Sequence, residues 1–329
     1  MIETLFPLTI SQSILEDALH CDMYFFRKHI QGFHPGRNVH LIAGGHIAKA
    51  LELTRKAYFF DKKEVDEAIE IGYNYIIDAE DTGDEIKSNA RLAFLFKKYF
   101  QKFPIDQSWQ PLPLTNGEYS IEYEFEFDLG IPHPDIPDRN VTFSGKLDML
   151  AEKKLPGGTK AIGIVDEKTT KNVKRVTGTK QVDLAAEEEL YLARGQLAAY
   201  SWAIRQLGLK NDYGFIRRIP ILKDYEPAYE LTIPISEFFI ENWSKTMFNT
   251  ISELVEKYKF FKETFDPFAA FTANYTDSCN SYGRSCYYKK GCTQKDGEEI
   301  IAQHFPQSVY DRFSEEVLTL KEYKEKYKI

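Results

Sequence analysis

Residues 145–171 read GKLDMLAEKKLPGGTKAIGIVDEKTTK. Two strands are predicted here. One is 141–151, VTFSGKLDMLA. The other is 160–168, KAIGIVDEK, almost continuously apolar until it ends in charges, as a central buried strand does. LPGG at 155–158 marks a turn with no intervening helix, so the strands form a hairpin and Asp148 falls beside Asp166. At a period of two, Asp166 and Lys168 share a face and Glu167 points to the other. Two carboxylates and an ammonium then converge at one sheet edge. Carboxylates held together repel unless a cation sits between them. A hard divalent ion, Mg2+ or Mn2+, suits oxygen donors. A lysine beside it can orient or help deprotonate a metal-bound water, which is the equipment for hydrolysing a phosphodiester. From spacing alone, a strand-end salt bridge of Lys168 with Asp148 or Asp166 accounts for the same residues.

Working outward, 119–129, YSIEYEFEFDL, alternates as a strand does, and the turn-rich GIPHPDIPDRN follows at 130–140. Upstream the chain reads as helical. Ser11 or Ser13 caps a short helix carrying Ile14, Leu15, Ala18 and Leu19, and helical spacing recurs over 45–60, 63–78 and 84–103. Downstream, one long helix is predicted over 185–208, then strands at 211–219 and 227–233. A helix over 236–262, a cysteine-bearing loop and a C-terminal helix near 308–327 complete the chain. The pattern describes one α/β domain around a mixed sheet. Residues 1–110 form a helical N-terminal part, 115–235 the sheet core and 236–329 a helical C-terminal part.

The pair GKLDML and IVDEKTTK resembles the PD-(D/E)XK nuclease superfamily, and within it the RecB-like branch. That branch carries a Gly-x-x-Asp strand, an Asp-x-Lys strand closed by Thr, and a helix with Gln-x-x-x-Tyr. Gln196 and Tyr200, in GQLAAYSWAI, supply the last element, one turn apart on one helical face. The resemblance implies a restriction-endonuclease-like core with Asp148, Asp166, Lys168, Gln196 and Tyr200 as its catalytic set. Gln196 would face the scissile phosphate or the lysine, and Tyr200 would support it. It also implies that Asp148 and Asp166 bind metal together with an upstream helical histidine, here His46 in GGHIAKALE, and with the backbone carbonyl of Glu167. Leu147 rather than proline precedes Asp148, as is usual for this branch. On the residues alone, Gln196 and Tyr200 also fit an amphipathic helix, and His46 a structural histidine.

The chain holds four cysteines. Cys21 stands alone near the N-terminus; Cys279, Cys286 and Cys292 share CNSYGRSCYYKKGC. Four thiolates are what a cubane iron–sulfur cluster needs. One N-terminal and three C-terminal ligands resemble the iron–sulfur group of these nucleases, which includes the AddB nuclease domain and the CRISPR spacer-acquisition nuclease. The resemblance implies a 4Fe-4S cluster stapling the chain ends. The group commonly has two residues in the first C-terminal gap; this chain has six, with 282–284 as a looped-out insertion. A four-cysteine zinc site and unpaired thiols remain open as alternatives, and disulfides are disfavoured in a reducing cytoplasm.

The composition is that of a globular protein: 329 residues, 43% hydrophobic, 28% charged, net charge −8. That excludes a uniformly basic, histone-like binder. Lys168, Lys171, Lys174, Arg175 and Lys180 nevertheless form a basic segment without an anion, which could contact phosphates or be a solvated loop; Arg217, Arg218, Arg27 and Lys28 are further candidates. No membrane helix or signal peptide is read, and a cytoplasmic location is expected. With no P-loop motif, any helicase would be a separate chain. The reading is a metal-dependent deoxyribonuclease acting on DNA ends or single strands, in recombination, repair, phage replication or CRISPR adaptation. The alternatives are a catalytically silent nucleic-acid-binding scaffold of the same fold and a redox iron–sulfur protein.

Overall fold

A computed structural model describes residues 3–34, 39–107, 109–114, 117, 119–155, 157–275, 278–280, 285–311 and 316–327. The 282–284 insertion lies outside them. In chain order, β1 is Thr9–Ile10, α1 Gln12–His20 and α2 Asp22–Phe25, running into a π-helical turn, Phe26–Ile30. Then come α3 (Val39–Arg55), a second π turn (Lys56–Phe60), α4 (Val65–Asp78) and α5 (Asn89–Lys102). Strands follow: β2 (Gln110–Pro111), β3 (Ile121–Pro132), β4 (Asn140–Lys154) and β5 (Lys160–Thr170). After α6 (Leu184–Leu192) and α7 (Gln196–Gln206) come β6 (Tyr213–Pro220), β7 (Tyr229–Pro234), α8 (Glu237–Thr264) and α9 (Pro267–Ala270). The chain ends with α10 (Lys289–Thr293), α11 (Gly297–His304), β8 (Val309–Asp311), β9 (Glu316–Leu318) and α12 (Leu320–Tyr327).

The chain divides into two compact units, one of Met1–Gly36, Glu126–Gly145 and Ser244–Ile329, the other of Arg37–Phe125 and Lys146–Trp243. The second unit holds a central mixed sheet flanked by helices. There β4 pairs antiparallel with β5, β5 parallel with β6, and β6 antiparallel with β7. A parallel pair needs a crossover, and α6 and α7 provide it. Met149, Ala151, Val165 and Phe215 pack under apolar residues of α3 and α5, such as Ala43, Ile47, Leu92 and Phe96. Ile216, Leu231 and Ile233 on the opposite face pack with Tyr191 and Leu197 of α6 and α7. Gly214 is what lets α7 approach: a Cβ there would stand 2.8 Å from the Leu197 methyls.

Two elements differ from expectation. The helix expected over 185–208 is broken, because Gly195 sits at φ 68°, a left-handed value that ends one helix and re-aims the next. The expected helix near 308–327 starts only at Leu320. Thr319 and Glu322 form a reciprocal capping box there, with Glu322 N–H donating to Thr319 Oγ1 (3.2 Å) and Thr319 N–H to Glu322 Oε2 (2.8 Å). Before it, β8 pairs antiparallel with β9. Ser11 is the N-cap of α1, but its hydroxyl pairs with Ser13 Oγ (3.0 Å) rather than with the helix backbone. Among the described residues no helix is long and apolar enough to cross a membrane.

In the first unit β1 pairs in parallel with β4 at Thr9↔Thr142 and Ile10↔Phe143. Its core is aromatic: Phe6 meets Tyr258 at 5.5 Å, and Phe26 meets Phe261 at 4.9 Å between ring centroids. Burial, with the charges of His29 and Lys28 adding, pushes the His34 imidazole down to about 4. The unfolded chain therefore binds more protons than the folded one between pH 4 and the ordinary imidazole value of 6.5. This contribution is whole above pH 6.5 and fades as pH falls toward 4. Thermal melts should show His34→Gln losing less stability than wild type as the pH drops from neutral to about 5, by roughly 1–2 kcal/mol. Parallel pH curves for the two proteins would refute it.

Candidate active site

The β4–β5 ladder runs from Lys154↔Lys160 to Met149↔Val165. At its end the Asp148 side chain turns to the neighbouring strand, and Glu167 N–H donates to Asp148 Oδ2 at 3.0 Å. The predicted hairpin thus brings Asp148 to Asp166. On β5, Lys168 Nζ reaches Asp166 Oδ1 at 2.9 Å, as the period of two requires. Gln196, the first residue of α7, donates from Nε2 to the same Oδ1 (3.3 Å) and to Tyr200 Oη (3.1 Å) one turn on. Asp148, Asp166, Lys168, Gln196 and Tyr200 are therefore gathered in one network. Asp166 Oδ2 is buried without a hydrogen-bond partner among the described residues.

Burial raises the Asp166 pKa, and the Asp148 charge adds to it against the pull of Lys168. Desolvation opposes the charge of Lys168, but Asp166 and Asp148 outweigh it and hold the ammonium protonated, above its ordinary range. A third carboxylate, Glu122 of β3, joins them. It ion-pairs with Lys146 (3.0 Å), two residues before Asp148 on β4. Burial pushes Glu122 up to about 7, with the charge of Asp148 adding. Its backbone is left-handed (φ 53°), a conformation that costs a non-glycine residue and tends to persist at functional sites. Sequence reading missed Glu122 because the alternation of 119–129 assigns it to a solvent face.

Glu167 faces the other way, as expected. Arg55 of α3 ion-pairs with its Oε2, and Tyr99 donates to its Oε1. Arg217 donates to Tyr99 Oη (2.9 Å) and Glu230 (2.8 Å), and its guanidinium stacks 3.4 Å from the Trp109 ring centroid. Arg217 is thus a buried structural cation, which corrects its reading as a phosphate contact. Arg218 is also buried, donating to Tyr191 Oη (2.8 Å) and Thr170 Oγ1 (2.6 Å). Arg27 is buried against Glu298, and Lys28 pairs with Asp17. In the basic segment Lys171, Lys174 and Lys180 are exposed, whereas Arg175 pairs with Glu226. His46 lies half-buried on α3 with Nε2 3.0 Å from the Glu80 carbonyl oxygen. Among the described residues no hydrogen bond or ion pair joins it to Asp148 or Asp166.

All four cysteines lie in the first unit. Cys21 forms the junction of α1 and α2, and Asn274 N–H donates to its Sγ (3.4 Å). Cys279 Sγ donates to the Asn274 carbonyl (3.2 Å), and Cys286 N–H donates to the Cys279 carbonyl (2.8 Å). Tyr275 Oη donates to the carbonyl of Cys292 (3.0 Å). Burial pushes Cys292 up to about 11, with the other three thiols adding and Arg27 opposing. Among the described residues no three His, Cys, Asp or Glu side chains stand close enough together to hold a metal ion.

The sequence pattern of the PD-(D/E)XK nuclease superfamily matches residues 9–293. The chain belongs to the PD-(D/E)XK nuclease superfamily. Membership implies a nucleic-acid substrate, and PD-(D/E)XK nucleases generally use divalent metals such as Mg2+. Among solved structures, a "Putative exonuclease" from Eubacterium rectale is similar at 14% identity over 76% of this chain and 82% of that one, with a TM-score of 0.42. The protein SSO0001 is similar at 14% identity over 77% and 92%, with a TM-score of 0.22. At those scores neither likeness bears on function. A comparison with curated proteins finds no match.

Proposed function

We propose that this PD-(D/E)XK nuclease is a metal-dependent deoxyribonuclease of the RecB-like, iron–sulfur type, acting exonucleolytically on DNA ends or single strands. The observation that carries this reading is the Asp166 carboxylate. One oxygen is shared by Lys168 and Gln196, while the other is buried beside a second carboxylate and, among the described residues, unpartnered. A buried anionic oxygen without a partner is costly, and a hard divalent cation is its natural complement. The residues present therefore fit Mg2+ or Mn2+. Asp148, Asp166 and the Glu167 carbonyl would hold it, and His46 of α3 would join them only by turning away from the Glu80 carbonyl oxygen. The ion would supply Lewis acidity at the phosphate and a lowered pKa for water.

The chain's own residues divide the remaining work. Lys168, kept as an ammonium, donates to the attacking water or to charge developing on the phosphate. Gln196 fixes Asp166 Oδ1, and Tyr200 orients Gln196. Exposed Lys171, Lys174 and Lys180 offer phosphate contacts, and Arg175 shapes their loop through Glu226. Four thiols in one unit, from residues 21 and 279–292, match the ligand count of a structural 4Fe-4S cluster, and that count favours it over a four-cysteine zinc site, since zinc favours paired short knuckles. Hydrolysis needs no electron transfer, so the cluster holds structure. Recombination, repair, phage replication and CRISPR adaptation, with a separate helicase or recombination partner, are the settings such chemistry suits.

The test is incubation of end-labelled single- and double-stranded DNA with Mg2+ or Mn2+, with EDTA as control. Cleavage that needs the metal is expected, and the product ladder gives polarity. Cleavage unaffected by EDTA, or none by folded protein with either metal, would sink the proposal.

A further inference from the structure

Beside Glu122 the second unit carries a cavity of about 540 Å³. That falls within the ~300–1,000 Å³ of small-ligand sites. Phe60, Tyr119 and Tyr123 line it, together with the carboxylates of Glu122 and Glu124. Phe60 and Tyr119 stack with centroids 5.6 Å apart and planes at 28°, and Phe60 is 41% exposed. Lys62 Nζ lies 5.4 Å from the Tyr119 ring centroid. The exposed face of Phe60, held in place by half-buried Tyr119 behind it, is apolar surface that a flat ring would cover.

Its occupant follows from the chemistry of the walls. Carboxylates at the rim repel a phosphate but accept from the amino and ring N–H groups of a base edge. Aromatic faces take a planar ring regardless of its sequence identity. Glu122 is the link to the catalytic centre, since it lines this cavity and also pairs with Lys146 two residues from Asp148. We propose that the cavity is a nucleobase subsite, in which an unpaired amino-bearing base next to the scissile phosphate stacks on the open face of Phe60, which Tyr119 backs, and donates to Glu122 or Glu124. A duplex hides both the face and the edge that such a site reads, so the subsite makes the enzyme choose single strands or frayed ends. This rests on the nuclease reading above and deepens it to a substrate class.

The test separates binding from cleavage. Full-length protein in EDTA is titrated into a single-stranded oligonucleotide carrying 2-aminopurine, whose fluorescence falls on stacking, and into the matching duplex. Quenching is expected with the single strand and not with the duplex interior. Phe60→Ala and Tyr119→Ala should weaken it roughly 5- to 100-fold, the range of one base–aromatic stack. Phe60→Tyr should restore it, and exposed Glu124→Gln should reduce the preference for an amino-bearing base over thymine. In the metal-activated assay Phe60→Ala should raise KM for single strands. Quenching that depends on Phe60 in a protein that cleaves nothing would uphold the subsite and sink the nuclease. A wild type that cleaves single strands while Phe60→Ala and Tyr119→Ala bind and cleave equally well would overturn the subsite and leave the nuclease standing.

Discussion

Lys168→Ala and Asp166→Asn are each expected to lower DNA cleavage by roughly 10²–10³-fold with the fold intact, the cost of losing one preorganised charge-stabilising group. Asp166 is the node of the site: its Oδ1 takes both Lys168 and Gln196. Asp166→Asn keeps the shape and removes the charge. Its amide oxygen can still accept from Gln196, but Asp148 is left as the carboxylate facing Lys168. Lys168→Ala removes the cation that offsets two carboxylates, so Asp166 gains protons more readily and its grip on a metal weakens. The two residues act as a unit, so the double variant should be little worse than either single one. Circular dichroism and melting curves check folding. Wild-type rates in either variant, with folding unchanged, would move catalysis elsewhere.

What could be read from the sequence was local. The hairpin through LPGG needs only a turn signal, and Asp166 with Lys168 needs only the pleat, so Asp148, Asp166 and Lys168 meet as expected. Gln196 and Tyr200 needed only one helical turn. What was not legible depended on backbone conformation or on distant partners. Gly195 looks tolerable inside a helix until its φ is known. The helix expected near 308–327 ignored the Thr319–Glu322 capping box that starts α12. Glu122 reads as a solvent-face residue because its positive φ is invisible in an alternating pattern. Arg217 reads as a free cation because Glu230, Tyr99 and Trp109 are brought to it only by the fold.

The Glu167 network explains how the two faces of one strand divide their labour. Asp166 and Lys168 share one face with the proposed site, and Glu167 between them is clamped on the other by Arg55 and Tyr99. A buried ion pair of this kind contributes little net stability but is costly to break, by about 3–5 kcal/mol. It therefore fixes the strand in register rather than adding to its strength, and fixing β5 fixes both side chains proposed as catalytic. Glu167 is thus a positioning residue, held from α3 and α5.

Anaerobically purified protein is expected to be brown, with iron and sulfide rather than zinc, and Cys286→Ala is expected to lose the colour and much of the stability. Cys286 is the thiol joined by its backbone N–H to Cys279, and its titration is raised by burial, with Cys279 and Cys21 adding. Four thiols from positions 21 and 279–292 would close a loop of more than two hundred residues. By analogy with a covalent staple, losing it costs about 3–5 kcal/mol. In a chain of this size that lowers the melting temperature by about 4–7 °C. The chemical step, built from a different set of residues, should slow far less than it does in Lys168→Ala. A colourless protein with stoichiometric zinc would exclude the iron–sulfur cluster. A Cys286→Ala protein that melts like wild type yet cleaves nothing would show that the thiols serve the reaction rather than the fold.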